Sequence, residues 1–505
     1  MEPLALVRDA PVFKKVLIAN RGEIAVRIAR ACRELGVGAV GVYSEADRGA
    51  YFLNYLDQAV EIGPAPAAES YLNGEKIVAA ALASGAEAIH PGYGFLAENA
   101  EFAELCVARG LRFIGPPAAA MRAMGDKLSA RATMQAAGVP TVPGSVAAVE
   151  DLAGAGTEAE RLGYPVLLKA AAGGGGKGMR RVERAAELAG ALRACASEAR
   201  SAFGDGRVYL EKYLDRPRHV EIQILCDQHG AAIHLGERDC SLQRRHQKVV
   251  EECPGPAMTL AQRETMGEVA LRGARAVGYS GAGTMEFLLE RGGKFYFLEM
   301  NTRLQVEHPV TELVTDRDLV IAQIRIAAGE KLAWRQEQIA WHGHAIEVRI
   351  YAEDPEHDFR PAAGTVAEIR VPGGPGIRED RGISAGSRIP FEYDPLLSKL
   401  VVRGETRGEA VARLRRALAE YRLYGVCSNL PFLQLVAEQP EFVSGDYDIR
   451  TLEGFPRGSA STDLVRLAAA VAAARVHRDS GAGRFRSGAS RWRAAGRERA
   501  MRPAR

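Results

Sequence analysis

Residues 284–309, Thr-Met-Glu-Phe-Leu-Leu-Glu-Arg-Gly-Gly-Lys-Phe-Tyr-Phe-Leu-Glu-Met-Asn-Thr-Arg-Leu-Gln-Val-Glu-His-Pro, constrain the fold more than any other stretch. Two alternating runs flank Gly292-Gly293, a hairpin signal. A two-residue turn there sets Arg291 against Lys294 and Glu286 directly opposite Glu299. Opposed carboxylates repel, so the pairing predicts a cation between them, and an oxygen donor set suits Mg²⁺ or Mn²⁺. Glu299, Asn301, Arg303, Gln305 and Glu307 share one parity. An extended chain would aim all five the same way, with Leu298, Met300, Leu304 and Val306 toward a core. A solvated strand face is the bland reading; the mixture of acids, amide and arginine favours a site.

A chain of 505 residues predicts two to four domains. Lys+Arg 66 against Asp+Glu 63 names no charged partner. The basic excess sits at the end: Arg475 to Arg505 holds ten arginines against Asp479 and Glu498. Seven cysteines without Cys-x-x-Cys spacing read as reduced thiols. No apolar run is long enough to span a bilayer, and the first residues resemble neither a signal nor a transit peptide. The expected location is the cytoplasm, with no membrane or nucleic-acid partner.

Residues 14–43 read strand, helix, strand, a βαβ unit that opens a parallel sheet. Ile24, Ile28 and Leu35 form the helix stripe. No Gly-x-Gly-x-x-Gly follows the first strand, so a dinucleotide site is not indicated. Further β–α alternation runs through residues 86–90 and 111–115, with a glycine-punctuated loop at 90–99 between them. A helix is expected to begin within Met-Gly-Asp-Lys (124–127) and end near Gly138. In 164–182, a strand ending at Lys169 enters Gly173, Gly174, Gly175, Gly176, Lys177 and Gly178, and a second strand starts at Met179. Glycines beside a lysine let backbone N–H groups meet phosphate oxygens. The loop is not of the Walker kind, since no Gly-Lys-Ser/Thr occurs.

Helices are expected over 185–202, 316–329, 405–420 and 430–437, and a small β-rich region over 360–403. His219, Glu221 and Gln223 alternate with Val220, Ile222 and Ile224, and any of these polar residues, or Glu211, could be a surface group. The basic run 243–248 reads as solvated on its own, Cys240 as a packed side chain, and His342 and His344 as structural. Beyond Gly454 the signals of order decay, and a disordered tail is expected.

Met-Gly-Asp-Lys (124–127), the glycine loop, Arg-Arg-His-Gln-Lys-Val-Val-Glu-Glu (244–252), Glu-Met-Asn-Thr-Arg-Leu-Gln-Val-Glu-His (299–308) and Glu-Val-Arg-Ile-Tyr-Ala-Glu-Asp-Pro (347–355) together carry a specific resemblance. Ala-Asn-Arg-Gly-Glu-Ile-Ala (19–25) and Tyr-Asp-Pro-Leu-Leu-Ser-Lys-Leu (393–400) add to it. The chain resembles the biotin carboxylase component of biotin-dependent carboxylases, in the ATP-grasp superfamily, from about residue 14 to 453. The resemblance implies an α/β, ATP-grasp fold: a Rossmann-like parallel-sheet domain (12–125), an ATP-grasp domain (126–330) with a mobile lid lobe (140–214), a C-terminal β-rich domain (331–454) and a flexible tail (455–505). Ala172 stands where the family's glycine run often begins, and Ser428 where threonine is more usual.

The implied activity is ATP-dependent carboxylation of biotin through carboxyphosphate. Lys127, Lys169, Gly173, Gly174, Gly175, Gly176, Gly178 and Met179 would meet ATP, with Glu211, Lys212, Leu214, His219, Gln243, His246 and Leu288. Glu286, Glu299 and Asn301 would hold two Mg²⁺ or Mn²⁺ ions. Lys248, Arg303, Gln305 and Val306 would hold bicarbonate, Glu307 would take its proton, and Arg349 would stabilise the biotin enolate. None of the ten methionines adjoins a lysine, so biotin is expected on a separate biotin carboxyl carrier protein. The further partners expected are a second copy of the chain, as a homodimer, and a carboxyltransferase subunit. The acceptor implied is an acyl-CoA. The alternatives are a different bicarbonate-activating ATP-grasp ligase and a catalytically silent nucleotide-binding subunit.

Overall fold

The βαβ start builds a five-stranded parallel sheet of β1 (Lys15–Ile18), β2 (Gly38–Ser44), β3 (Gln58–Gly63), β4 (Ala88–His90) and β5 (Arg112–Phe113). Its order is β3-β2-β1-β4-β5. The computed structural model describes residues 12–149, 151–172 and 178–455. Helix α1 (Gly22–Glu34) buries Ile24 and Ile28 against Val16 and Ile18. Helices α2 (Gly74–Ser84) and α3 (Ala100–Ala108) start at Asn73 and Asn99, whose side chains accept from Lys76 and Phe102 N–H. Strand order reverses at β1, and such a switch point leaves a crevice at the carboxyl ends of the strands. Asn20 sits there and donates to the carbonyls of Pro91 and Tyr93, each at 2.7 Å. Gly92 has φ +65°, and a Cβ on it would lie 2.9 Å from the Asn20 amide.

The helix expected to begin in 124–127 and end near Gly138 forms there, directly after a separate helix. Helix α4 (Ala118–Gly125) stops, and Asp126 caps α5 (Lys127–Ala136) by accepting from Ser129 N–H. Lys127 therefore stands at the first position of that helix.

A small lobe follows: α6 (Leu152–Leu162), β6 (Val166–Ala170), β7 (Met179–Val182), α7 (Ala185–Phe203) and β8 (Val208–Lys212). Its sheet order is β7-β6-β8, and Val166, Leu168, Leu188 and Leu210 share one core. Gly178 has φ +68°, and a Cβ there would press within 2.9 Å of the Ala170 Cβ.

The largest sheet has eight strands. They include β9 (Arg218–Cys226), β10 (Ala232–Arg244), β11 (Gln247–Cys253), β12 (Gly281–Leu289), β13 (Phe295–Asn301) and β14 (His344–Tyr351). The order is β13-β12-β9-β10-β11-β14, continued by Leu396–Gly404 and then Ile377–Arg381. Two strands of the expected β-rich region thus extend this sheet. Strand β10 carries register shifts against both neighbours, between His234 and Glu237 and between Asp239 and Gln243. Helix α8 (Leu260–Ala276) covers one face, with Met266 and Ala270 packed on Val220, Ile222 and Ile224. That leaves His219, Glu221 and Gln223 on the opposite face, and all three are buried. A central strand has no solvent face here, which is why the surface reading fails for them.

The 284–301 hairpin keeps the expected acid pair by a different route. Glu290 N–H donates to Lys294 O and Gly293 N–H to Glu290 O, so three residues form the turn. Gly293 is left-handed at φ +84°, as three-residue loops require. The extra turn residue slips the register by one, and a bulge at Leu298 restores it, giving Phe287↔Phe297 but Glu286↔Glu299. The bulge also turns Leu298 to the cleft wall, not the core. The strand ends at Asn301, so the extended reading of 302–307 fails: these residues turn into helix α9 (His308–Thr315), capped at Glu307.

Glu252 on β11 ties this sheet to helix α10 (Arg407–Glu420). It accepts from His344 Nε2 at 2.5 Å and from Arg407 Nε at 2.7 Å, and from the Tyr447 hydroxyl. Burial alone would raise its pKa; the His344 and Arg407 contacts overcome that and hold it down at about 2. A depressed carboxylate contributes stability above its unfolded pKa and loses it as pH falls through the folded one. Glu252→Gln is therefore expected to remove about 3 kcal/mol of the stability change between pH ~4.5 and ~2, read by urea unfolding across that range.

Candidate active site

The polar face of the large sheet, the carboxyl end of the parallel sheet and the small lobe enclose a cleft of about 770 Å³. Lys248, on β11, stands at its base. Its Nζ donates to Glu221 Oε2 at 2.6 Å, Glu286 Oε1 at 2.9 Å and Glu307 Oε1 at 2.6 Å. Three acids around one ammonium leave an excess of negative charge. Arg238, wholly buried, offsets it: Nε donates to Glu221 Oε1 at 2.5 Å, and its other nitrogens reach Gln223, Thr284 and Thr311. Arg349 completes the balance, with Nη2 to Glu307 Oε2 at 2.9 Å and Nε to Glu251 Oε1 at 2.5 Å.

These contacts set the charge states. Burial works against ionisation of Glu307, but Lys248, Arg349 and Arg238 outweigh it and hold the acid well below the usual range. Lys248 is likewise held well above its ordinary value, against burial, by Glu221, Glu286 and Glu307. Glu286 also accepts from Asn301 Nδ2 and contacts His219 Nε2, both at 2.8 Å. Glu299 differs: burial and then the Glu286 charge push its pKa up. Glu286 itself is held low, against burial, by Lys248 and His219. Opposed to Glu299 in register and with Asn301 beside them, it completes an oxygen donor set whose repulsion a Mg²⁺ ion would relieve, so the residues fit the metal.

Arg303 is aimed by Glu98, which accepts from its Nε at 2.9 Å, by Gln305 at 2.9 Å and by Asn301 at 3.1 Å. The basic run 243–248 is solvated only at its tip, where Arg245 and His246 are exposed; Gln243, Arg244, Gln247 and Lys248 are half-buried. Arg245 and His246 form the two-residue turn between β10 and β11, with φ +49° and +65° and no glycine, a costly conformation for such residues. The turn brings Gln243, His246 and Lys248 to the wall.

A family model described as "Biotin carboxylase, N-terminal domain" matches residues 12–121, and "Biotin carboxylase C-terminal domain" matches 347–454. Between them, "Carbamoyl-phosphate synthase L chain, ATP binding domain" matches 126–335. The chain is 53% identical to a biotin carboxylase of a Nostoc species over 434 residues, 86% of this chain and 97% of that one. The chain belongs to the biotin carboxylase family. It is 50% identical to biotin carboxylase 1 of Bacillus subtilis over 88% of this chain and 99% of that one. Among solved structures, it superposes with a TM-score of 0.86 and 48% identity on the biotin carboxylase domain dimer of Hydrogenobacter thermophilus 2-oxoglutarate carboxylase, in complex with MgADP, ADP and bicarbonate. That match covers 89% of this chain and 99% of the other. The chain is an ATP-grasp ligase of the biotin carboxylase kind.

Within this biotin carboxylase fold, the cleft wall holds Lys127, Lys169, Met179, His219, Gln243, His246, Lys248, Glu286, Leu288, Glu299, Asn301, Arg303, Gln305, Val306 and Arg349. Glu307 lies just behind Lys248 and Arg349, wholly buried. Glu211 is also set back, accepting from Lys169 Nζ at 2.7 Å and Arg131 Nη1 at 2.9 Å. Lys212 Nζ donates to the carbonyls of Gly163 and Tyr164. Leu214, half-buried past β8, and Gly178 lie off the wall. Gly173, Gly174, Gly175 and Gly176 lie outside the described residues.

Several residues escape the sequence reading. Glu221 and Arg238 sit on adjacent strands and pair in register, yet each looks like an ordinary alternating polar residue. Lys399, fully buried, donates to Val306 O at 2.9 Å and pairs with Glu23 at 3.1 Å, fixing the loop that ends in Glu307. The Ser-Lys-Leu of 398–400 carried the family match without pointing to that contact.

Proposed function

We propose that this chain carboxylates biotin borne on a separate carrier protein, using ATP and bicarbonate, as the biotin carboxylase part of an acyl-CoA carboxylase of the acetyl-CoA or propionyl-CoA type. The single observation that carries the reading is the cluster of Lys248, Glu307 and Arg349, with Arg303 beside it, at the base of an otherwise nucleotide-sized cleft. Lys127 and Lys169 would meet the phosphates of ATP, and His219, Gln243, His246 and Leu288 the remainder of the nucleotide. Glu286, Glu299 and Asn301 would hold Mg²⁺, which when bound offsets negative charge on the phosphoryl groups.

Bicarbonate attacks the γ-phosphorus, the bond to the bridging oxygen of ADP breaks, and carboxyphosphate results. A planar anion suits the guanidinium of Arg303 and the ammonium of Lys248. Glu307 is a poor base while both its oxygens are held by cations. An arriving bicarbonate would draw on Lys248 and Arg303, and the charge withdrawn from Glu307 raises its basicity as the proton comes off. Carboxyphosphate then releases CO₂ and phosphate. Arg349 would stabilise the enolate form of biotin as N1 loses its proton and bonds to CO₂.

The lobe at 140–214 would close over ATP and gate turnover, as the lid of an ATP-grasp domain spanning 126–330 between domains at 12–125 and 331–454. A carboxyltransferase partner, a homodimeric state and a cytoplasmic location belong to the same reading. The test is ATP cleavage with Mg²⁺ and bicarbonate, with and without free biotin. Stimulation by biotin with formation of carboxybiotin is expected. Bicarbonate-dependent cleavage that biotin leaves unchanged would overturn the assignment in favour of another bicarbonate-activating ligase, and no cleavage at all would favour a silent subunit.

A further inference from the structure

Glu347, on β14, is wholly buried, and among the described residues neither of its carboxyl oxygens has a hydrogen-bond partner. It is paired in register with Glu251 on β11, which places the two Cβ atoms about 5 Å apart. Glu251 is equally buried, and its Oε2 also has no partner among the described residues. Its other oxygen accepts from Arg349, whose far nitrogen holds Glu307. Two ionised carboxylates, one paired through a single oxygen and the other not at all, cannot persist side by side without water.

We propose that Glu347 is a positioning residue that carries a proton and shares it with Glu251, so that the pair presents one negative charge to Arg349. A doubly charged pair would compete with Glu307 for that guanidinium and draw it back from the cleft. With one proton held between the acids, Glu251 anchors Arg349 by Nε alone and leaves Nη2 on Glu307.

The groups around Glu347 are consistent with this. From β11 it faces Glu251, from the strand Leu396–Gly404 it feels Lys399, from the start of α9 Glu307, and on its own strand Arg349. Lys399 is already engaged by Glu23 and the Val306 carbonyl, so it does not neutralise a charged Glu347. His308, in the first turn of α9, is kept neutral by burial and by Lys399. Burial pushes Glu347 far above the carboxylate range, with Lys399 opposing and Glu251 adding to it. Glu251 rises to about 7, raised by burial although Arg349 opposes.

Infrared spectroscopy of the whole protein in D₂O tests the proton without reference to the reaction. A protonated-carboxyl C=O band is expected at neutral pH, diminished by one group in Glu347→Gln and by alkaline titration. Absence of any such band in the unsubstituted protein overturns the proposal, and needs no variant to fold. The kinetic arm rests on the biotin carboxylase reading. The amide mimics the protonated acid, so E347Q should keep kcat within ~3-fold near neutrality while its alkaline limb shifts upward by about one pH unit or more. An alkaline limb identical to that of the unsubstituted protein, or a neutral-pH loss of ~10-fold or more in a folded variant, would overturn it. If biotin-dependent turnover is absent altogether, the infrared result still decides for or against the shared proton.

Discussion

Glu307→Gln is expected to lower biotin-dependent ATP cleavage by ~10²-fold or more, the scale of a lost general base, with ATP affinity nearly unchanged. The carboxylate accepts from two cations at once, Lys248 on one oxygen and Arg349 on the other. An amide keeps one acceptor and turns an NH₂ group toward the second cation, so the variant loses both the proton acceptor and the alignment of one of its partners. Lys127 and Lys169, proposed above to meet the ATP phosphates, make no hydrogen bond or ion pair to Glu307, and ATP should bind as before. Steady-state ATPase with biotin, beside titration of a fluorescent nucleotide analogue, separates the two effects. Equal turnover in the variant would remove Glu307 from the proton-transfer step. A parallel loss of nucleotide binding would indicate a collapsed cluster instead.

Arg238→Met is expected to cost about 3–5 kcal/mol of folding stability, because it leaves a buried carboxylate uncompensated. Arg238 touches no substrate side of the cleft. It bridges β9, β10, β12 and α9 through Glu221, Gln223, Thr284 and Thr311. Glu221 would then depend on Lys248 alone, which Glu286 and Glu307 also claim. Urea unfolding measures the loss directly. Pairing the change with Glu221→Gln should recover part of it, since the orphaned charge is then gone, and additive losses would show that the two residues do not act together.

The hairpin shows how far the residues alone could lead. Opposition of Glu286 and Glu299 was legible from alternation and a glycine pair, although the turn has three residues and the register is rescued by the bulge at Leu298. Two compensating one-residue irregularities leave no trace in the period of the sequence. The βαβ opening, the Met179 strand and the helices after Ala185 and Arg407 follow from local patterning and formed where expected. What stayed illegible was long-range. Glu221, Arg238 and Lys248 become a site only when β9, β10 and β11 lie side by side, and Lys399 reaches Val306 across 93 positions of chain. The helix start expected within 124–127 formed there, with Asp126 as its cap.

Strand β10 has a consequence for shape. Lys248 on β11 and Glu286 on β12 are separated by three ladders, which in a flat sheet would place their backbones about 14 Å apart. Side chains standing upright on a flat sheet would not meet across that gap, yet these meet at 2.9 Å, as they do when a sheet curls into a trough between them. The register shifts in β10 lie on the line of that curl, and bulges bend the strands that carry them. The trough's curvature, and with it the reach between its Lys127 and Arg349 walls, is thus written into the residue count of a strand that lends the cleft few side chains.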